Sequence, residues 1–138
     1  MKKFLPYNTI GKEEIVAVNK VMKTGVLSKF LGSPGKDFLG GPQVIKFENV
    51  IKKYFNVKYA ITVNSWTSGL IASVGALDVS PGDEIIVTTW SMCASATAIL
   101  HWNCLPIFAD IDPNTYNIDP NSIEKKITKK TKAIMTVD

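Results

Sequence analysis

Hydrophobic positions in the first part of the chain recur at helical spacing in two separate stretches. The first covers residues 12–23, with two glutamates in its first turn and Gly25 just beyond its end, as the helix dipole and helix-stop preferences favour. The second begins at Pro42, where the missing N–H of proline costs nothing. Between them, residues 26–41 are rich in glycine. They predict a long irregular connection, which inside a compact domain is usually functional or disordered.

From about residue 59 the pattern changes to short β-branched runs that alternate with helical segments. The predicted strands are residues 59–64, 84–89, 105–110 and 132–137. The predicted helices between them are a segment carrying Leu70, Ile71, Val74 and Leu77, a segment over residues 92–102, and a segment from residue 119 to about residue 129. This alternation predicts parallel β-α-β units, and nearly continuous apolar strands predict a sheet with helices on both faces. The expected fold class is α/β with a parallel-rich central sheet.

The end of the chain bears on its domain organisation. Asp138 directly follows the fourth predicted strand, so the predicted sheet would lack a last covering helix. We interpret this as a fragment boundary. We expect residues 1–41 to form an N-terminal helix and glycine-rich loop. Residues 42–138 are expected to form the N-terminal part of a larger α/β domain, truncated at residue 138.

The net charge of +4 and the pI of 9.0 raise the question of a nucleic-acid partner. The densest group of positive charges is Lys125, Lys126, Lys129, Lys130 and Lys132. These lysines alternate with apolar residues, as a solvated helix face would. The group contains no aromatic residue and no arginine, which is the usual bidentate reader of bases. We therefore expect no nucleic-acid partner.

Membrane and metal-binding classes are also disfavoured. No apolar run approaches the roughly 20 residues that a bilayer span needs, and the N-terminus does not resemble a signal peptide. Cys93 and Cys104 form no C-x-x-C motif, and the single His101 cannot complete a metal site with them. Both cysteines lie in apolar stretches and are expected to be buried free thiols in a reducing compartment. We expect a cytoplasmic protein with no membrane contact and no metal.

Polar and aromatic residues follow three predicted strands, at the edge where open α/β sheets bind ligands. These segments are Asn64-Ser-Trp-Thr-Ser68, Thr88-Thr-Trp-Ser91 and Asp110-Ile-Asp112. The first leads into a helix, so its N–H groups, its hydroxyls and the positive end of a helix dipole suit an anion such as phosphate. N-capping of this helix by Ser65 or Thr67 would explain the same residues without a bound ligand. Neither a Walker lysine nor the dinucleotide glycine fingerprint is present, so a bound phosphate would belong to another kind of ligand.

Five blocks of sequence, in this order, resemble the DegT/StrS-type sugar aminotransferases. The blocks are Gly41-Pro-Gln-Val-Ile-Lys-Phe-Glu48, Asn64-Ser-Trp-Thr-Ser-Gly-Leu70, Pro81-Gly-Asp-Glu-Ile-Ile-Val87, Pro106-Ile-Phe-Ala-Asp-Ile-Asp112 and Thr131-Lys-Ala-Ile134. The resemblance covers nearly the whole chain. It implies a fold-type-I enzyme that depends on pyridoxal 5'-phosphate, with residues 42–138 as the first half of the large cofactor-binding domain.

The resemblance implies cofactor contacts for five residues. The family's usual Ser-Gly-Thr turn corresponds to Ser65, Trp66 and Thr67, where backbone amides and the threonine hydroxyl are expected to hold the cofactor phosphate. Trp66 replaces the common glycine and can still offer its N–H if its φ is negative. The family's aromatic residue that stacks on the pyridine ring falls on Met92, and Trp90 is the alternative source of a ring.

The resemblance also implies which catalytic groups lie elsewhere. In the family, the lysine that forms the Schiff base and the carboxylate that pairs with the pyridinium nitrogen both follow the fourth strand. None of the lysines here falls at a matching position. We therefore expect the Schiff-base lysine to lie beyond residue 138, no catalytic residue within the chain, and no activity from the chain alone.

The implied activity is transamination of a nucleotide-linked keto-sugar, with glutamate as the expected donor, in amino-sugar and polysaccharide biosynthesis. The expected assembly is a homodimer in which the glycine-rich loop packs on the partner. Two other functions remain open, because a fold does not fix a function. One is a non-catalytic, ligand-binding regulatory α/β module of the same fold. The other is a nucleotide-binding domain that uses the turn at residues 65–68.

Overall fold

A computed structural model describes residues 7–27, 29–35 and 37–137. The chain divides into two compact units, Met1–Thr62 and Val63–Asp138. Asp138 itself lies outside the described residues. In the described part, no helix is both long and apolar enough to cross a membrane.

The first unit contains the two helices that the sequence predicts. Helix α1 covers Lys12–Met22 and helix α2 covers Pro42–Phe55. At the start of α1 the Glu14 carboxylate accepts the Gly11 N–H at 2.7 Å, and this bond holds the pKa of Glu14 below its ordinary value. Helix α2 begins with Pro42 directly after Gly41 and ends where Asn56 adopts a left-handed backbone with φ of 51°. Both predicted helix positions are confirmed.

The glycine-rich connection is irregular, as predicted, and it carries its own framework. The Lys29 ammonium pairs with the Asp37 carboxylate at 3.1 Å, and the Leu31 N–H donates to the Asp37 carbonyl at 3.1 Å. The Phe30 ring covers Gly40, which has a φ of +95° and leaves no room for a β-carbon. These contacts hold the two ends of the connection together.

The prediction of a strand over residues 59–64 is wrong. Residues 59–63 belong to no helix or strand, and the Ile61 side chain is 83% exposed. β-branched residues favour an extended backbone, but a strand also needs a neighbour for its backbone hydrogen bonds. Here the Glu48 carboxylate of α2 takes that place, accepting the Thr62 N–H at 2.9 Å and the Thr62 hydroxyl at 3.0 Å.

The second unit is a parallel α/β layer structure. Its elements are helix α3 (Trp66–Gly75), strand β1 (Glu84–Thr88), helix α4 (Ala94–Leu100), strand β2 (Leu105–Ala109), helix α5 (Pro120–Glu124) and strand β3 (Thr131–Met135). In the described residues the sheet has the order β2-β1-β3, and both pairs of strands are parallel. The α/β fold class is confirmed, with three paired strands where the sequence predicted four.

The central strand carries the core. Ile85, Ile86 and Val87 of β1 are at most 1% exposed. Ile85 and Val87 pack with Val74 of α3 and Ile99 of α4, while Ile86 lies on the opposite face of the strand and is also fully buried. A strand buried on both faces explains the continuous apolar run that the sequence shows.

Other boundaries and burials differ from the predictions. The helix predicted over residues 92–102 is confined to α4, and the helix predicted up to about residue 129 ends at Glu124. Beyond α5 the chain turns back toward the start of β1, where the Thr128 hydroxyl donates to the Glu84 carboxylate at 2.5 Å.

The two cysteines differ in burial. Cys104 is buried as expected, and this burial raises the pKa of its thiol. The expectation for Cys93 is wrong: it is the N-cap residue of α4 and is exposed.

Trp102 fastens α3 to the segment after α4. Its indole N–H donates to the Ile71 carbonyl of α3 at 2.8 Å. The indole also lies on Gly75, the last residue of α3, where a β-carbon would overlap Cζ2 and stand 2.7 Å from Cε2. The close packing of these two residues therefore requires glycine at position 75 and tryptophan at position 102.

We predict that Gly75→Ala will lower the free energy of unfolding by about 1–3 kcal/mol, since the added methyl overpacks against the indole. In a Trp102→Ala background the same change should be neutral or stabilising by up to about 1 kcal/mol, because alanine favours a helix over glycine. Chemical denaturation of the four proteins in this cycle measures both values. A loss of equal size in both backgrounds would show that the indole does not occupy this space.

Candidate cofactor-binding site

An open cleft of about 810 Å³ lies in the second unit, at the carboxyl ends of β1 and β3. The start of α3 and the segment between β1 and α4 form its walls. Three of the five predicted site residues line it: Trp66, Trp90 and Met92. Ser65 and Thr67 flank Trp66 in the sequence but are not among the lining residues. The edge predicted from the sheet is thus where the cleft lies.

Ser65 is the N-cap of α3. Its hydroxyl oxygen accepts the Ser68 N–H at 3.1 Å, and the two serine hydroxyls lie 2.9 Å apart. The Ser65 carbonyl accepts the Gly69 N–H at 3.1 Å. The capping role left open by the sequence is therefore filled by Ser65, which fixes the position of the first turn of α3.

Capping by Ser65 leaves other donors of this turn available. In the portion of the chain that the structure describes, the N–H groups of Trp66 and Thr67 and the Thr67 hydroxyl have no acceptor. Trp66 has a helical backbone, so its N–H points outward with the others of the first turn. Two N–H groups and a hydroxyl at the positive end of a ten-residue helix suit an anion. The residues present therefore fit the phosphate of a cofactor.

Two side chains beside the cleft are large enough to face a planar ring. Trp90 is 65% exposed and Met92 is 72% exposed. The Trp90 N–H donates to the buried Thr88 hydroxyl at 3.2 Å, and the Met92 carbonyl accepts the Ser95 N–H at 3.1 Å. Each backbone is therefore held while its side chain is free to contact a ligand.

Tyr116 braces Trp90, and the sequence reasoning missed it. The two ring centroids are 6.0 Å apart with an interplanar angle of 35°. Tyr116 has a φ of +61°, which is unusual for a bulky residue, and its N–H donates to the Asp112 carbonyl at 2.8 Å. The only local signal was a run of turn-forming residues between Asp112 and Asp119.

Asp112 organises this turn rather than facing the cleft. Its carboxylate accepts the Thr115 N–H at 2.9 Å and the Asn114 N–H at 2.8 Å. These two backbone bonds hold the pKa of Asp112 below its ordinary value of 3.8. The main-chain N–H of Asp110 donates to the Ser122 hydroxyl at 2.9 Å, which links the end of β2 to α5. Of the three predicted polar segments, this one is used for loop structure.

Residues 8–138 match the model of the DegT/DnrJ/EryC1/StrS aminotransferase family. The chain belongs to this family. The resemblance noted in the sequence is confirmed, and it extends over the glycine-rich connection and the whole sheet. The family depends on pyridoxal phosphate, which agrees with the anion-accepting turn at the start of α3.

Individual relatives agree with the family assignment. The chain is 40% identical over 136 residues to the spore coat polysaccharide biosynthesis protein SpsC of Bacillus subtilis, covering 97% of this chain and 32% of that protein. It is 38% identical over 133 residues to the 3-oxo-glucose-6-phosphate:glutamate aminotransferase of the same organism, covering 93% of this chain and 30% of that protein. The chain thus spans about a third of the length of these relatives.

A solved structure shows the same fold. The GDP-4-keto-6-deoxy-D-mannose-3-dehydratase of E. coli, with bound hydrated PLP, superposes with a TM-score of 0.80 at 29% identity. The match covers 94% of this chain and 32% of that one. The proteins similar to this chain therefore include a dehydratase as well as an aminotransferase.

We predict that Asp112→Asn will destabilise the protein at neutral pH but not in acid. A carboxyl whose pKa is lowered by folding stabilises the folded state above its unfolded pKa, and that contribution is lost as the pH falls through the lowered value. The difference in free energy of unfolding between wild type and variant should thus shrink below the ordinary carboxyl pKa of 3.8. Urea denaturation at a series of pH values measures it. A difference that does not change with pH would contradict the assignment.

Proposed function

We propose that the protein is a pyridoxal-phosphate-dependent transaminase that acts on a nucleotide-linked keto-sugar, with glutamate as amino donor, in amino-sugar or polysaccharide biosynthesis. The observation that carries the proposal is the first turn of α3, where donors without partners adjoin a cleft with Trp90 and Met92 on its wall. Family membership supplies the reaction class.

Each residue of the site has a part in this proposal. The N–H groups of Trp66 and Thr67 and the Thr67 hydroxyl hold the cofactor phosphate, and Ser65 keeps that turn in place through Ser68. Trp90 or Met92 covers the pyridine ring, and which of them does so stays a prediction. The cofactor, when bound, supplies an electron sink for the carbon that exchanges its amino group. The chain's own contribution is to bind and orient it.

The substrate class rests on the names of two similar proteins. The E. coli structure is of a dehydratase named for a GDP-linked 4-keto-sugar, and this supports a nucleotide-linked substrate. The B. subtilis aminotransferase is named for 3-oxo-glucose-6-phosphate and glutamate, which supports the donor but offers a sugar phosphate as the acceptor. Assays of the full-length protein with both acceptor types separate the two possibilities. Turnover of the sugar phosphate alone would overturn the nucleotide-linked part of the proposal.

Two further statements about the whole protein remain predictions. We place it in the cytoplasm, for which the two free cysteines are the supporting observation. The division into residues 1–41 and 42–138 also stays a prediction about how the complete enzyme is organised.

The 138-residue chain alone should show no transaminase turnover, because no described lysine lines the cleft and covalent catalysis needs such a nucleophile. The assay is formation of 2-oxoglutarate from glutamate in the presence of pyridoxal phosphate and a nucleotide-linked keto-sugar. A sample from cells lacking the gene, purified in parallel, is the control. Turnover above that control would disprove the expectation that the catalytic lysine lies beyond residue 138.

In the full-length protein, Thr67→Ala should weaken cofactor binding, whereas Ser73→Ala should not. Thr67 belongs to the first turn of α3, while Ser73 is an exposed residue near its other end. Loss of one charge-assisted hydrogen bond costs about 1.5–3 kcal/mol, or roughly tenfold to a hundredfold in affinity. Absorbance titration with pyridoxal phosphate measures the change. Equal affinities of wild type and Thr67→Ala would mean that the phosphate binds elsewhere.

We also expect the full-length protein to be a symmetric homodimer held partly by the glycine-rich connection. Phe38 and Leu39 are 49% and 67% exposed, and a two-fold partner surface would cover such side chains. The double variant Phe38→Asp, Leu39→Asp should shift the protein toward monomer and abolish activity together. Size-exclusion chromatography with light scattering gives the mass. A fully active monomer, as wild type or as the double variant, would exclude the dimer from this account.

A further inference from the structure

The bond from Trp102 to α3 is unusual for a side chain on the surface. Trp102 is 40% exposed, so its N–H has access to water, yet it donates to the Ile71 carbonyl at 2.8 Å. A carbonyl inside a helix already accepts the N–H four residues later. Ile71 therefore accepts a second donor, and the indole is attached to the backbone of α3 rather than to one of its side chains.

The same indole makes its second contact with α3 at Gly75. Residues 71 and 75 are four apart, so they lie on one face of the helix, one turn from each other. The ring covers the space that a β-carbon at Gly75 would fill. Two contacts one turn apart fix both the position of α3 and its rotation about its own axis.

The start of α3 is ordered locally by the Ser65 cap, and among the described residues no side chain from another element donates to its first turn as Trp102 does to Ile71. Val74, near the carboxyl end, is the buried residue of this helix, whereas Trp66 at its start is 79% exposed. A ten-residue helix is about 15 Å long and moves as a rigid body. Contacts with its carboxyl half therefore set the direction of the free N–H groups in its first turn. Thr67 is one turn before Ile71.

We propose that Trp102 is a positioning residue for the phosphate of the cofactor. It acts through α3: the indole holds Ile71 and Gly75, and the helix carries the N–H groups of Trp66 and Thr67 to the place where they meet the phosphate. This inference rests on the proposed function, since it assumes that the first turn of α3 binds a phosphate group. A binding constellation has to be held to within about 0.5 Å to work, which gives a remote attachment its importance.

The test compares two ligands that differ only in the phosphate. Trp102→Phe keeps an aromatic side chain at this position but removes the indole N–H and the outer ring atoms that lie over Gly75. In the full-length protein it should weaken binding of pyridoxal phosphate by about twofold to tenfold, the value of one ordinary hydrogen bond, and leave binding of pyridoxal unchanged. Gly75→Ala, which displaces the ring from the other side, should give the same selective loss. Pyridoxal binding is the control for general destabilisation, and Ile127→Ala, at an exposed residue after α5, is the control for a substitution outside α3.

Three outcomes separate this inference from the proposed function. The positioning role is supported if Trp102→Phe, Gly75→Ala and Thr67→Ala each weaken binding of pyridoxal phosphate but not of pyridoxal. Ile127→Ala should weaken neither. If Thr67→Ala selectively weakens binding of pyridoxal phosphate but the Trp102 and Gly75 variants do not, the inference is overturned and the proposed function stands. The same follows if the Trp102 and Gly75 variants weaken binding of both ligands equally. No selectivity in Thr67→Ala overturns both.

Discussion

Strand β1 is buried on both faces, and the position of the site depends on this burial. Ile85 and Val87 face α3 and α4, and Ile86 faces the other side. Removing such side chains from water contributes about 1.5–3 kcal/mol each, more than an ordinary hydrogen bond between uncharged groups. As the central strand of the described sheet, β1 pairs with β2 along one edge and with β3 along the other, and both run parallel to it. Their carboxyl ends consequently meet at one edge, where the cleft lies.

The start of α3 combines a capped helix end with N–H groups that have no partner in the described residues. Ser65 satisfies the Ser68 N–H through its side chain, so the helix start does not need a ligand to be ordered. The neighbouring N–H groups of Trp66 and Thr67 have no such partner in the described residues. A tryptophan at the first helical position is compatible with this arrangement, because its backbone is helical and its side chain extends into the cleft.

Local patterns predicted the elements that local forces decide. Helix α2 begins at Pro42 as expected, since proline at this position and an apolar stripe both act within a few residues. Strand β1 was recognised because burial on both faces leaves a continuous apolar run. Residues 59–64 were misjudged for the opposite reason: their composition favours an extended chain, but pairing depends on a neighbour that no local pattern reveals.

The edge of the sheet that carries the cleft was predicted from the sequence, while the side chains that brace it were not. The end of β1 placed Trp90 at this edge as predicted. Trp66 lines the same cleft although the strand predicted before it is absent. Tyr116 contacts Trp90, which lies 26 positions earlier in the sequence, and Trp102 contacts Ile71, which lies 31 positions earlier. Neither Tyr116 nor Trp102 lies in a recognisable motif. Gly75 carries no local signal of its role, which only the position of the indole explains.

A crystal structure of the full-length protein with pyridoxal phosphate tests the central claim most directly. Phosphate oxygens should lie about 2.7–3.2 Å from the backbone nitrogens of Trp66 and Thr67, with the Thr67 hydroxyl as a further donor. Met92 or Trp90 should lie against the pyridine ring. A cofactor bound with its phosphate away from the first turn of α3 would contradict the assignment of this turn as the phosphate site.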